Sequence, residues 1–159
     1  MSTITPFLWF DTQAEEAANF YVGLFPNSRM LSTTPAPDGT PDSSAGGVLT
    51  VEFELDGVRF TGLNGGPHFR FTEAVSFVID CADQAEVDRY WEALLADGGE
   101  ESQCGWLKDR FGLSWQVVPK QLNELLGDPD PGRSSRAMKA MLQMRKLDVA
   151  ALQAAADAP

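Results

Sequence analysis

The sequence has little that would hold a metal, a nucleic acid or a membrane. Its 159 residues include one histidine, His68, and two cysteines, Cys81 and Cys104. Two cysteines are too few for a disulfide framework, suit a reducing compartment, and here stand in no metal-type spacing. Basic residues are scarce: 12 Lys and Arg against 23 Asp and Glu give a formal net charge of -11. A nucleic-acid groove wants a basic face, and an anionic lipid surface repels such a charge, so neither is an expected partner. The acidity reads most simply as solubility. No stretch approaches the roughly 18 apolar residues of a membrane span. Residues 1–10 hold no Lys or Arg and only a short apolar run, so no export signal is expected and the predicted location is cytoplasmic. No Gly-x-Gly-x-x-Gly turn joins a strand to a helix, so the usual nucleotide-type cofactor signature is missing. No cofactor is expected.

What is present suits a globular chain. A hydrophobic fraction of 43% with 10% aromatics exceeds that of disordered segments, and the length fits one ordinary domain with a sizeable core. Ile4 to Phe10 is short, apolar and without helical period, which predicts a buried strand. Thr12 and Glu15 make a capping-box pattern before a helix with Ala14, Ala17, Ala18, Tyr21, Leu24 and Phe25 on one face, ended by Pro26-Asn27. Ser28 to Thr34 suits a strand. Pro35 to Gly47 is polar and turn-rich, too long for a tight hairpin, and predicts a mobile surface loop. Val48 to Leu55 alternates, with Leu49, Val51, Phe53 and Leu55 opposite Thr50, Glu52 and Glu54. Asp56-Gly57 signals a hairpin whose second strand is Val58 to Leu63, and Asn64-Gly65-Gly66-Pro67 breaks the sheet.

The order then repeats. Ala74 to Cys81 predicts a strand. Asp83 and Glu86 form a second capping box, and Val87, Tyr90, Trp91, Leu94 and Leu95 make the buried face of a second helix, ended at Asp97-Gly98-Gly99. Strands follow near Glu101–Cys104, Trp106–Asp109 and Leu113–Val118, with a turn at Arg110-Phe111-Gly112 and a stop at Pro119. Gln13-Ala14-Glu15 opens the first helix and Gln84-Ala85-Glu86 the second, and Phe20-Tyr21 is matched, one residue out of step, by Tyr90-Trp91. The repeat predicts one α+β domain over 1–159, made of β-α-β-β-β modules at 4–64 and 74–119, with a cavity enclosed by their two uncovered sheet faces. Residues 120–157 predict a helical extension. It has a short helix from Gln121 to Leu126 and a turn at 128–131. A helix capped by Ser134 or Ser135 then carries Met138, Met141 and Leu142, and a last helix capped by Asp148 carries Val149 and Leu152. Its apolar stripe should dock on the domain or on a second subunit.

Three segments resemble a known family. ITPFLWFDTQAEEAANFY (4–21), TVEFELDGVRFTGLNGGPHFRFTEAVSF (50–77) and CGWLKDRFGLSWQVVP (104–119) are similar to the PhnB-like branch of the vicinal oxygen chelate superfamily, the glyoxalase and bleomycin-resistance group. That branch is often labelled 3-demethylubiquinone-9 3-methyltransferase. The GDPDP turn and the MLQMRKLD run (141–148) look like its C-terminal extension. The resemblance implies curved mixed sheets in paired modules and commonly a homodimer. In many superfamily members His and Glu side chains on the first and last strands of each half hold a divalent metal. Position by position, this chain offers Ile4 or Thr5, Asn64, Ala74 with Glu73 beside it, and Gln116. Neutral amides cannot supply the donors a divalent site wants, so no metal is expected. The resemblance also sets the strand order of the second half, first strand beside fourth and second strand at the far edge. That order separates Cys81 from Cys104, and no disulfide is expected.

Individual residues read two ways. His68 is a catalytic candidate as a general base, or a surface loop histidine, which is favoured. Cys104 is a catalytic candidate if Lys108 lowers its pKa, or a small buried hydrophobe, which is favoured; Cys81 reads as packing. Phe7, Trp9, Phe53, Phe69, Trp106 and Trp115 either line an apolar cleft or fill the core. Trp115 and Gln116 must face opposite ways, and the family position puts Gln116 toward the ligand. Lys108-Asp109-Arg110 is either an anion clamp or, preferably, a solvated turn. If the Glu52 and Glu54 face meets the cleft, the metal question reopens. The expected ligand-binding set is Phe7, Trp9, Asn64, His68, Trp106, Lys108 and Gln116.

The favoured function is binding of a small, partly apolar molecule in the cleft without metal, with catalysis left open. Three alternatives stand beside it: a metal-dependent glyoxalase or dioxygenase-type enzyme, a methyltransferase as the family label says, and a non-catalytic sequestering protein. The expected partners are a small-molecule ligand and a second copy of the chain.

Overall fold

The computed structural model describes residues 3–41 and 47–159. Each half begins with the expected strand and helix. The first contains β1 (Phe7–Phe10), α1 (Ala14–Leu24), β2 (Arg29–Pro35), β3 (Val48–Leu55) and β4 (Val58–Asn64). The second contains β5 (Phe77–Cys81), α2 (Gln84–Leu95), β6 (Glu100–Glu101), β7 (Trp106–Lys108) and β8 (Ser114–Pro119). The helices α3 (Lys120–Leu126), α4 (Pro131–Met141) and α5 (Val149–Asp157) follow. The strand orders are β1-β4-β3-β2 and β5-β8-β7-β6. In each sheet the first strand runs parallel to the last of its half, and the other pairs are antiparallel. The chain forms two compact units, residues 1–71 and 72–159.

In the first unit the alternation of β3 buries Val51, Phe53 and Leu55 beneath α1, which contributes Ala14, Ala17, Ala18 and Tyr21. Three alanines let the helix lie close: a Cβ added at Gly62 of β4 would stand 3.3 Å from that of Ala14. Tyr21, Phe53 and Phe60 stack in series, with centroids 6.4 Å and 5.6 Å apart. Asp56 and Gly57 both take positive φ, 48° and 78°, as the tight turn between Leu55 and Val58 demands.

The second unit repeats the scheme. Val87, Tyr90, Trp91 and Leu94 of α2 are buried, as are Ile79, Cys81, Leu107, Trp115 and Val117 of the sheet. Asp83 caps α2 by accepting the Glu86 amide at 3.0 Å, and the Glu86 carboxylate takes the Ala82 amide at 2.9 Å. The C-terminal helices dock on this unit through a core of Val118, Leu122, Leu125, Ala137, Leu147, Leu152 and Ala156. The Gln84 side chain joins them to α2: its Nε2 donates to the Leu147 carbonyl at 3.0 Å and its Oε1 accepts the Val149 amide at 2.7 Å.

Several local expectations are corrected. The first helix is not capped by Thr12: Gln13 holds the cap position without a side-chain bond, and the free Ala14 amide is taken by Asn64 Oδ1 at 2.8 Å. The fourth helix is capped by Asp130, with Pro131 in its first turn, not by Ser134 or Ser135, because proline fits where the amide has no helical partner. Its inward residue is Ala137, whereas Met138 and Leu142 are 40% and 52% exposed. Residues 73–75 form a turn instead of opening β5, with Thr72 Oγ1 accepting the Ala74 amide at 3.2 Å. Of the expected loop at 35–47, residues 42–46 lie outside the described residues. Pro35 belongs to β2, and the Ala36 amide bonds the Gly47 carbonyl at 2.7 Å.

Candidate functional site

Each sheet has one face under its helix and one that no helix of its own module covers, and strand register fixes what that second face presents. On the first sheet it carries rows Phe7–Thr61–Glu52–Ser32, Trp9–Leu63–Thr50–Thr34 and Arg59–Glu54–Arg29. On the second it carries Val78–Gln116–Trp106 and Ser114–Lys108, with Ser76, the residue before β5, continuing the latter row beside Ser114.

Phe7 is 60% exposed. Trp9 is half-buried, its indole N–H donating to the Gly66 carbonyl at 2.9 Å and its ring meeting Phe69 edge-on at 4.9 Å. The glycines of the sheet-breaking run make this possible. A Cβ at Gly65 would lie 2.4 Å from the indole carbons, so Trp9 occupies space that any other residue would fill. The acidic residues of β3 share this face. Both are answered there: Glu52 pairs with Arg59 at 3.1 Å and Glu54 with Arg29 at 3.0 Å.

On the second sheet Gln116 Nε2 donates to Ser76 Oγ at 2.9 Å. Lys108 forms an ion pair with Glu73, which holds the Glu73 carboxyl below the usual carboxylate range and the ammonium above its own. Trp115 is on the opposite face, buried, with its indole N–H on Asp109 Oδ2 at 2.9 Å. The three residues of Lys108-Asp109-Arg110 therefore do not share one solvated turn. Lys108 belongs to the uncovered face, Asp109 is 2% exposed, and Arg110 lies over the Phe111 ring and pairs with Asp97 at 3.7 Å.

The structure thus groups Phe7 with Trp9, and Trp106 with Lys108 and Gln116. Asn64 is committed to backbone, its Nδ2 donating to the Val48 carbonyl at 2.9 Å in addition to the bond with Ala14. His68 is exposed in the segment after β4. Cys81 and Cys104 are free thiols. Burial, followed by the charges of Glu86 and Asp80, pushes the Cys81 thiol up to about 12, far from a reactive thiolate. Cys104 is half-buried at φ 60°.

The donor set does not fit a divalent metal. Among the described residues no group of three or more His, Cys, Asp or Glu side chains is placed to hold an ion. At the positions where the superfamily places ligands, Ile4 is 95% exposed ahead of β1, Asn64 and Gln116 are amides already bonded within the sheet frame, and Glu73 is held by Lys108.

One residue of this face escaped the sequence reading. Ser114 is 1% exposed and its Oγ has no hydrogen-bond partner among the described residues. Its two-residue spacing from Gln116 was the available signal. An orphaned buried hydroxyl is costly, so Ser114→Ala is expected to raise stability by about 1 kcal/mol and the Tm by about 2–4 °C. A thermal melt with an unchanged or lower midpoint contradicts this.

A family model described as 3-demethylubiquinone-9 3-methyltransferase matches residues 2–118, ending where the C-terminal helices begin. The PhnB protein of Bacillus cereus, assigned to the same methyltransferase group by name, is 32% identical with a TM-score of 0.67 over 74% of this chain and 99% of that one. A Pseudomonas aeruginosa protein shares the fold at 20% identity and TM-score 0.60, over 75% and 98% of the two chains. So does the fosfomycin resistance protein FosX of Listeria monocytogenes, in complex with Mn(II) and sulfate, at 16% identity and TM-score 0.50 over 74% and 89%. No curated protein matches significantly. The chain belongs to the 3-demethylubiquinone-9 3-methyltransferase family, to which the PhnB protein is assigned.

Proposed function

We propose that the protein binds a small, partly apolar molecule on its uncovered sheet faces without using a metal. The observation that carries this is the make-up of each face taken by itself: the first sheet presents Phe7 and Trp9 in rows with Thr61 and Thr50, and the second presents Val78 and Trp106 on either side of a neutral amide, Gln116. Binding sites combine such apolar lining with a few placed polar groups. The methyl transfer in the family's name gains no support, because the sheets are mixed rather than doubly wound and the glycine-rich cofactor turn is missing. The same reading takes the protein as a cytoplasmic homodimer.

The four tryptophans supply an internal test. Trp91 and Trp115 pack on the helix side of their sheet, with their indole N–H groups on the carboxylates of Glu101 and Asp109, whereas Trp9, whose N–H is held by the Gly66 carbonyl, and Trp106 belong to the uncovered faces. Titration with 2-phenylethanol, an apolar ring bearing one neutral hydroxyl, should move the Trp9 and Trp106 indole signals in a 1H–15N spectrum and leave the other two in place. Gly65→Ala should remove the Trp9 response by driving the ring off its seat, and should weaken binding about fivefold, the worth of a good aromatic contact. Signals that stay still, or that move only at Trp91 and Trp115, defeat the reading.

A further inference from the structure

The orphaned hydroxyl of Ser114 lies in a row whose other members are occupied. Ser76 Oγ takes the Gln116 amide, and the Lys108 ammonium takes Glu73. Glu73 stands on the chain that enters the outer strand β5, Lys108 is on β7, and β8 runs between them. Lys108 is the register partner of Ser114 on the same face, so the ammonium that Glu73 holds stands on the strand next to the unbonded hydroxyl. Glu73 is a poor lid, its side chain being 62% exposed, and exposed pairs of this kind are weak and screened by salt.

A single chemical group satisfies everything in this row. A carboxylate has one oxygen for the Lys108 ammonium and another for the Ser114 O–H, and hydrogen bonds to charged acceptors are the stronger kind. Behind it the next row offers Val78 and Trp106 to an apolar remainder, with the Gln116 amide carbonyl between them. We propose that Lys108 and Ser114 form a subsite for the carboxylate of a small, partly apolar ligand, and that Glu73 occupies Lys108 as an intramolecular stand-in that the ligand displaces. This rests on the binding function above and adds to it the class of ligand.

The test compares phenylacetate with uncharged 2-phenylethanol, by calorimetry and 1H–15N titration of the full chain. Glu73→Gln removes the competitor and should tighten phenylacetate about fivefold, with no gain for 2-phenylethanol. Lys108→Met and Ser114→Ala should each weaken phenylacetate about tenfold or more, and Ser114→Ala should do so while remaining at least as stable as the parent, which a merely structural role for the hydroxyl does not produce. Phenylacetate affinity unchanged in Glu73→Gln, or equal gains for both probes, overturns the subsite. So does 2-phenylethanol binding at Trp9 and Trp106 with no preference for the carboxylate, an outcome that leaves the broader binding function standing. Failure of both probes on every variant removes both.

Discussion

Asp109→Ala is expected to destabilise the protein by about 4 kcal/mol, lowering the urea midpoint with little change in slope. The residue is an internal hub. Its Oδ1 accepts the Phe111 and Leu113 amides at 2.9 Å and 3.1 Å, and its Oδ2 accepts the Trp115 indole N–H at 2.9 Å. Its backbone closes the same turn, the amide donating to the Leu113 carbonyl and the carbonyl accepting from Gly112, both at 2.9 Å. Alanine leaves three N–H groups without their acceptor at a position only 2% exposed, and each buried orphan costs about 1–3 kcal/mol. Partial relaxation at half-buried Phe111 keeps the sum below the simple total. Asp109→Asn should cost less, because one amide oxygen still serves the two backbone donors while its NH2 opposes the indole N–H. A loss under about 1 kcal/mol for alanine, or equal losses for both variants, contradicts this account. Against a total stability of about 5–15 kcal/mol, the alanine variant should be marginal.

How much of this was legible beforehand depended on sequence distance. The Asp56-Gly57 turn, the alternation of β3 and the duplicated strand-helix opening are local patterns, and each produced its element. The cap of α1 was not legible, because its acceptor, Asn64, is fifty residues along the chain and arrives only through the parallel pairing of β1 with β4. The same pairing explains why an amide at a superfamily ligand position is spent on backbone. Trp115 and Gln116 were correctly placed on opposite faces by alternation alone. Which face of β3 stays uncovered required the helix: α1 takes the Val51, Phe53 and Leu55 side, leaving Glu52 and Glu54 with Phe7 and Trp9. Metal coordination there is disfavoured by the arginine facing each carboxylate on a neighbouring strand. Asp109 is the exception to distance: its three donors lie only two, four and six residues along, but a carboxylate in a polar turn reads as a solvated charge until the fold buries it. Ser114 was hidden because an orphaned hydroxyl is defined by partners that fail to arrive.

Gly105→Ala should cost about 3 kcal/mol, and its cause can be separated from ordinary glycine strain. Gly105 sits at φ 86° and Gly112 at φ 87°, so alanine meets the same backbone penalty at both, about 1–2 kcal/mol. Space differs. Nothing lies within 4 Å of a Cβ at Gly112, whereas at Gly105 it would meet Leu147 Cδ1 at 2.9 Å and the Val117 carbonyl oxygen at 3.0 Å. Neither side can yield freely. The Gly105 amide donates to the Arg145 carbonyl and its carbonyl accepts the Val117 amide, both at 2.8 Å, while the neighbouring Cys104 amide holds the Met144 carbonyl. Leu147 is fully buried in the core of the C-terminal helices. The excess of Gly105→Ala over Gly112→Ala in chemical denaturation should thus measure the clash, about 1–2 kcal/mol. Leu147→Ala in the same chain should relieve part of it, so the double variant should lose less than the two single losses added together. Strict additivity would show that the turn ahead of Trp106 and Lys108 is held independently of the helices beyond residue 118.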